Sequence, residues 1–254
     1  MQPSFLKKKK LENQEVLWYD VGEVKGMLKK PICQEALKLI ACITMLIDHI
    51  GVLLLPGWYW LPIIGRLSFP IYCFLLAEGI AHTKSPAKYA LRMLICAVIA
   101  EPIYDFAFYG GLTFAYQSVM VSLLLGCCML WALQRYPNWM LRGCAVLAVC
   151  VLARLLQVSY GWRGILLMAA FGLSREQNMG WLLQLISTGL IFWSMGSARA
   201  PLLGIPLQLF GVLGMVPIWF YSGKKLSRSR VLQWSFYLFY PMHLLILFLI
   251  VRLL

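Results

Sequence analysis

From residue 36 to the last residue, apolar stretches of bilayer length follow one another, separated by turn or charge signals. A helix needs about 20 such residues to cross a hydrocarbon core. Nine stretches can be drawn, at 37–55, 60–81, 89–109, 113–134, 139–157, 162–174, 179–197, 202–222 and 232–253. Gly57, Gly110-Gly111, Pro137-Asn138, Gly161, Pro201 and Ser222-Gly223 punctuate them as turns. Hydrophobic residues make up 61% of the chain and charged ones 13%. These features predict an all-α, polytopic membrane protein with about nine transmembrane helices, in a range of about 8–10. They leave no room for a separate soluble catalytic domain, so any chemistry has to be built between helices.

Charge orients the chain. Residues 1–35 carry seven Lys against five acids and lack the apolar core of a signal peptide, so they read as a cytosolic basic segment. Residues 36–254 read as a single transmembrane domain. Lys84, Lys88 and Arg92, then Arg135 and Arg142, then Lys224, Lys225, Arg228 and Arg230 fall on the cytosolic side if all nine stretches cross. The sixth stretch is short, but omitting it would export the last cluster. The net charge of +13 is thus positive-inside patterning rather than a nucleic-acid surface, and the expected location is the cell (inner or plasma) membrane, multi-pass. The eight Cys are scattered through apolar runs and read as small buried hydrophobes, not as disulfides or metal ligands.

Polar groups are rare enough inside this apolar sequence to be informative. After residue 35 the acids are Asp48, Glu78, Glu101, Asp105 and Glu176, and the chain's histidines are His49, His82 and His243. An ionisable group at the bilayer centre costs roughly 2.5–3.5 kcal/mol on insertion scales. Asp48 and His49 stand side by side within the first stretch, where a carboxylate fixing an imidazole would make a general base. Glu101 and Asp105 are four apart and share a helix face, and Arg66 lies at a similar depth. These groups are expected to meet in one polar pocket, with Arg66 neutralising Asp48 or Glu101. His243 falls near the middle of the last stretch, one turn after Tyr240. Lys38 precedes His49 by eleven residues, which returns to within about 20° of the same face, roughly 16 Å along the axis. A cation at the mouth and an imidazole deeper in would then line one groove. Glu78 and His82 sit near the cytosolic end.

Several blocks are similar to the TraX family. They include Leu37-Lys38-Leu39-Ile40-Ala41, Met45-Leu46-Ile47-Asp48-His49-Ile50-Gly51, Ile64-Gly65-Arg66-Leu67-Ser68-Phe69-Pro70-Ile71 and Phe74-Leu75-Leu76-Ala77-Glu78-Gly79. The resemblance continues through Glu101-Pro102-Ile103-Tyr104-Asp105 and closes at Phe236-Tyr237-Leu238-Phe239-Tyr240-Pro241-Met242-His243. The namesake of that family acetylates the N-terminus of F-type conjugative pilin, and the wider membrane acyltransferases carry a basic residue, ten others and then His in the first span. The resemblance therefore implies an acyltransferase with acetyl-CoA or another acyl-CoA as donor substrate and no metal. His49 would be the base and Asp48 its partner, with Glu101 and His243 also at the reaction centre. Lys38, Arg66, Glu78, Asp105, Tyr240, Lys224 and Lys225 would hold donor or acceptor. Ser159 stands where members often have an acid, and Ser222 where they often have Asn.

The expected function is transfer of an acetyl group to an amine or hydroxyl of an extracytoplasmic acceptor: a pilin N-terminus, a peptide or a glycan. The partners would be the lipid bilayer, acyl-CoA and that acceptor. Arg66 or His243 would stabilise the oxyanion. Two other readings stand beside it, a proton-coupled transporter, since intramembrane Asp, Glu and His also build proton relays, and a non-catalytic assembly factor for a surface structure.

Overall fold

The computed structural model describes residues 30–196, 204–227 and 229–253. The basic segment expected at 1–35 lies mostly outside them, as do residues 197–203 and Arg228. Among the described residues there are no strands, only α-helices and one 3₁₀ helix. In chain order they are α1 (Gln34–Leu53), α2 (Trp60–Gly65), α3 (Ser68–His82), α4 (Pro86–Tyr109), α5 (Val119–Arg135), α6 (Trp139–Leu155), α7 (Gly161–Ser174), α8 (Gly180–Ser194), the 3₁₀ helix Leu207–Gly214, α9 (Met215–Trp219) and α10 (Arg230–Leu253). Each apolar stretch drawn on the sequence thus contains helix.

Helix starts follow local chemistry. Ser85 Oγ accepts the Lys88 backbone N–H in front of Pro86, and Asn138 Oδ1 accepts that of Met140. Pro at the first helical position loses nothing, because its N–H would be unpaired there anyway. At the far end of α4, Gly110 takes a left-handed φ of 75° that closes the helix.

Among the described residues, three segments are long and apolar enough to cross a bilayer: Gln34–Leu53, Trp60–His82 and Val231–Leu253. The second is broken rather than continuous. The chain turns at Arg66 and Leu67, where Ser68 Oγ donates to the Gly65 carbonyl and Arg66 Nε to that of Pro62. A break inside an apolar segment is tolerated where polar groups re-satisfy the freed backbone, and here it delivers the guanidinium of Arg66 into the interior. The stretch expected at 202–222 is likewise not one helix, since its described part is the 3₁₀ helix running into α9.

Helix α3 sits at the centre. Nine of its fifteen residues are buried, among them Phe69, Ile71, Cys73, Leu76 and Ile80, and it packs on α1, α5, α7, α9 and the 3₁₀ helix. A helix apolar all round belongs inside. By contrast α6 buries only Cys150 and Ala153. Leu39 and Ile43 on α1 and Leu91, Ile95 and Val98 on α4 are exposed. Such a girdle of outward apolar side chains needs an apolar solvent. α10 closes the bundle against α4 and α1.

Candidate functional site

Helix geometry separates the two residues that sequence places side by side. Neighbours on an α-helix point about 100° apart and do not face each other. Asp48 accordingly turns to Arg66, whose Nη2 donates to its Oδ1 at 2.6 Å. His49 turns the other way. Its Nδ1 lies 2.7 Å from Nε2 of His243, the two ring planes within 5° of parallel. The expected Asp48–His49 pairing is therefore corrected: the carboxylate belongs to the arginine, and the imidazole's partner comes from the last helix. Of the two acids offered for Arg66, it takes Asp48, not Glu101.

Small residues make this possible. Gly65 faces Asp48 so closely that a Cβ there would collide with the carboxylate, so α2 can lay Arg66 against α1 only with glycine before it. Tyr160 adds a third wall. It holds a left-handed φ of 62°, rare for a side chain of this size, and stacks on Phe69 at 3.6 Å between ring centroids. Its hydroxyl lies beside Arg66.

The proton positions on the two imidazoles follow from one carbonyl. Nδ1 of His243 lies 2.7 Å from the Phe239 carbonyl oxygen, which can only accept. His243 therefore carries its hydrogen on Nδ1 and, when neutral, a lone pair on Nε2. His49 must then donate from Nδ1, which leaves its own Nε2 unprotonated. The ordered chain is His49 Nδ1–H to His243 Nε2, and His243 Nδ1–H to the Phe239 carbonyl. It fixes the tautomer of His49 as a carboxylate partner would. Tyr240 and Phe108 pack edge-on against the His49 ring at 6.2 and 5.6 Å.

Two cavities run along the bundle and share a wall. The smaller, about 220 Å³, is lined by His49, Asp48, Arg66, Ser159, Tyr160 and Tyr104, among others. The larger, about 460 Å³, is lined by Lys38, Glu78, Arg92 and Lys225, among others, where α1, α4 and α10 begin and α3 ends. Met45, Tyr72, Val119 and Tyr240 line both. Lys38 and His49 thus occupy successive chambers rather than one uninterrupted groove. Lys38 Nζ sits 5.2 Å over the Phe236 ring, and Arg92 lies against the rings of Tyr89 and Tyr237.

The remaining expected site residues are placed as follows. Glu101 and Asp105 do not line the His49 chamber; Tyr104 and Phe108 of the same helix do. Glu101 Oε1 accepts the backbone N–H of Ser118, just before α5, at 2.8 Å, and Asp105 Oδ2 accepts that of Thr113 at 3.0 Å. Both tie down the loop 110–118, whose backbone donors lack helical partners. Glu78 is neutralised by Arg175 Nε at 2.5 Å. The Lys224 side chain is exposed and outside the large cavity, its carbonyl accepting the Gln34 N–H, whereas Lys225 lines that cavity. Ser159 lines the small chamber and donates to the Gln117 carbonyl. Sequence reasoning missed Tyr72, Tyr160 and Arg175 as members of these sites. Only Tyr160 carried a local signal, its place beside Gly161 at a turn.

Apolar segments of membrane-crossing length around a buried ionic and imidazole centre define a helical membrane protein. Residues 33–251 match the family described as TraX protein, and the chain belongs to that family. It is 30% identical over 226 residues, 83% of this chain and 92% of the relative, to "Probable fimbrial assembly protein FimC, serogroup H1" of Dichelobacter nodosus. It is also 34% identical over 98 residues, 39% of this chain and 36% of the relative, to an uncharacterized protein of Rickettsia prowazekii (strain Madrid E). No solved structure matches.

Proposed function

We propose that this chain is a multi-pass acyltransferase of the cell membrane. It moves an acetyl group from acetyl-CoA to an amine or hydroxyl of an extracytoplasmic acceptor, in the service of pilus assembly. The observation that carries the reading is the hydrogen-bond chain from His49 through His243 to the Phe239 carbonyl, which leaves His49 Nε2 as a base beside a cavity.

The larger cavity takes the donor. Lys38, Arg92 and Lys225 line it and none makes an ion pair among the described residues, while its carboxylate Glu78 is already neutralised. That leaves unbalanced positive charge for phosphate groups. With the N-terminus cytosolic, this mouth opens to the compartment that holds acyl-CoA. In the smaller chamber the acceptor gives a proton to His49 Nε2 as its nitrogen or oxygen attacks the thioester carbonyl. The carbon–sulfur bond then breaks, and the proton passes from His49 to the departing thiolate. Arg66, steadied by Asp48, supplies positive charge to the oxyanion. His243 holds and polarises the base instead of touching the substrate.

The family membership and the name of the Dichelobacter relative support the link to pili. That name equally suits a factor that assembles without catalysis. Incubation of the purified protein in lipid nanodiscs with acetyl-labelled CoA and pilin from the same cells separates the two. Label should move to pilin with wild type and not with His49→Ala. Label transfer that persists in His49→Ala would falsify the base assignment, and none with wild type removes the enzyme reading.

A further inference from the structure

The wall between the chambers is uneven. Tyr72 and Tyr240 contribute phenol rings, and the Tyr72 hydroxyl is engaged with Cys42 Sγ at 3.3 Å. The other two wall residues, Met45 and Val119, are purely apolar. Met45 is buried on α1, four residues or about one turn before His49, and so lies on the same helix face as the base. Val119 opens α5 and lines both cavities from that helix.

A donor lying in the larger cavity brings its acyl carbonyl to this wall, because His49 is reached only beyond it. The small chamber must then hold the acyl group and the attacking atom of the acceptor together, in less than half the volume of its neighbour. We infer that Met45 and Val119 select the length of the acyl group, admitting acetyl-sized chains and refusing long ones. The inference rests on the acyl-transfer reading. Donor and acceptor are bound at once on opposite sides of the wall, and no acyl-enzyme forms. The acceptor's nitrogen or oxygen bonds to the acyl carbon, the carbon–sulfur bond breaks, and the proton reaches the leaving sulfur through His49 to give a thiol. Met45 is a flexible thioether that yields to a small group, and Val119 is stiff at χ1 and sets the limit.

The test uses the full-length protein in nanodiscs with acetyl-, butyryl- and octanoyl-CoA, hydroxylamine as a small neutral acceptor, and released thiol as the readout above the His49→Ala background. Wild type should prefer acetyl over octanoyl by at least tenfold in kcat/KM. Met45→Ala and Val119→Ala should each shrink that ratio about tenfold. Met45→Phe, which narrows the passage, should depress turnover with butyryl-CoA more than with acetyl-CoA. Val119→Ala lies on a separate helix and is less buried, so it reports even if the α1 variants fold poorly. Turnover with an unchanged chain-length ratio in both alanine variants overturns this inference alone. Absence of thiol release from every acyl-CoA by wild type overturns it together with the reading beneath it.

Discussion

The two chambers share four wall residues yet handle charge in opposite ways. In the larger, Lys38, Arg92 and Lys225 make no ion pair among the described residues, and Glu78 is taken by Arg175. In the smaller, the cation Arg66 is matched by Asp48, and the other polar groups are hydroxyls and one imidazole. A cavity with surplus positive charge suits a polyanionic ligand. A cavity with balanced charge and a lone pair on a fixed nitrogen suits a neutral nucleophile about to lose a proton. On the proposed function, this difference in charge assigns the donor to the larger side and the acceptor to the smaller.

Substitutions confined to one chamber test that division. The largest effect is expected from His49→Ala. Removing a general base costs about 10²–10⁴ in rate, so turnover should fall by roughly that factor while acetyl-CoA binding is kept. A matching loss of donor binding would mean the chambers are not separable. His243→Ala should be milder, about 10–100-fold, as for partners that orient a functional imidazole, and it should alter the pH profile. Protonation of His243 at Nε2 turns the acceptor into a donor and breaks the 2.7 Å contact, and protonation of His49 at Nε2 occupies the lone pair that the base needs, so wild-type turnover should decline toward acid pH. In His243→Ala a single imidazole titrates, and the acid limb should move. An acid limb identical in the two proteins removes His243 from the base.

The Asp48–Arg66 pair is predicted to act on stability before activity. Both side chains are about 15% exposed, and removing one partner of a buried pair strands the other at a cost of about 3–5 kcal/mol. Arg66→Met should lower the Tm in detergent strongly, and Asp48→Asn together with Arg66→Met should recover part of it. A double variant whose loss equals the sum of the two single losses would show that the two side chains are not coupled.

Much of this was legible in the residues. The apolar stretches located the helices, because bilayer length and turn residues leave few alternatives, and scarcity of polar groups singled out His49, Asp48, Arg66 and His243. Partnership was not legible. Adjacency suggested Asp48 for His49, but the 100° step of a helix sends them to different neighbours, and nothing local announces that residue 243 returns to residue 49. Glu101 and Asp105 illustrate the reverse failure. Their shared face suggested that both belong to the polar pocket of His49, yet the loop 110–118 needs acceptors for its backbone N–H groups and takes both carboxylates. The break at Arg66 was hidden because Leu67 and Ser68 continue an apolar run that reads as one helix.

The smallest effect concerns the rim of the larger chamber. The segment before α1 pairs with the loop after α9: Ile32 N–H donates to the Phe220 carbonyl, Ser222 N–H to that of Ile32, and Gln34 N–H to that of Lys224. Glu35 completes the clip, its carboxylate accepting the backbone N–H groups of Leu226 and Ser227. That loop carries Lys225 to the cavity, so on the proposed function the clip positions one cation for the donor without touching the chemistry. Glu35→Gln keeps the shape but weakens hydrogen bonds that owe their strength to a charged acceptor. It should raise the KM for acetyl-CoA about threefold and leave kcat and the acceptor's KM unchanged, whereas Lys38→Ala, which removes a cation outright, should raise the donor KM about tenfold. If Glu35→Gln instead lowers kcat with the donor KM constant, the rim communicates with the small chamber, and the assignment of one substrate to each cavity fails at its mouth.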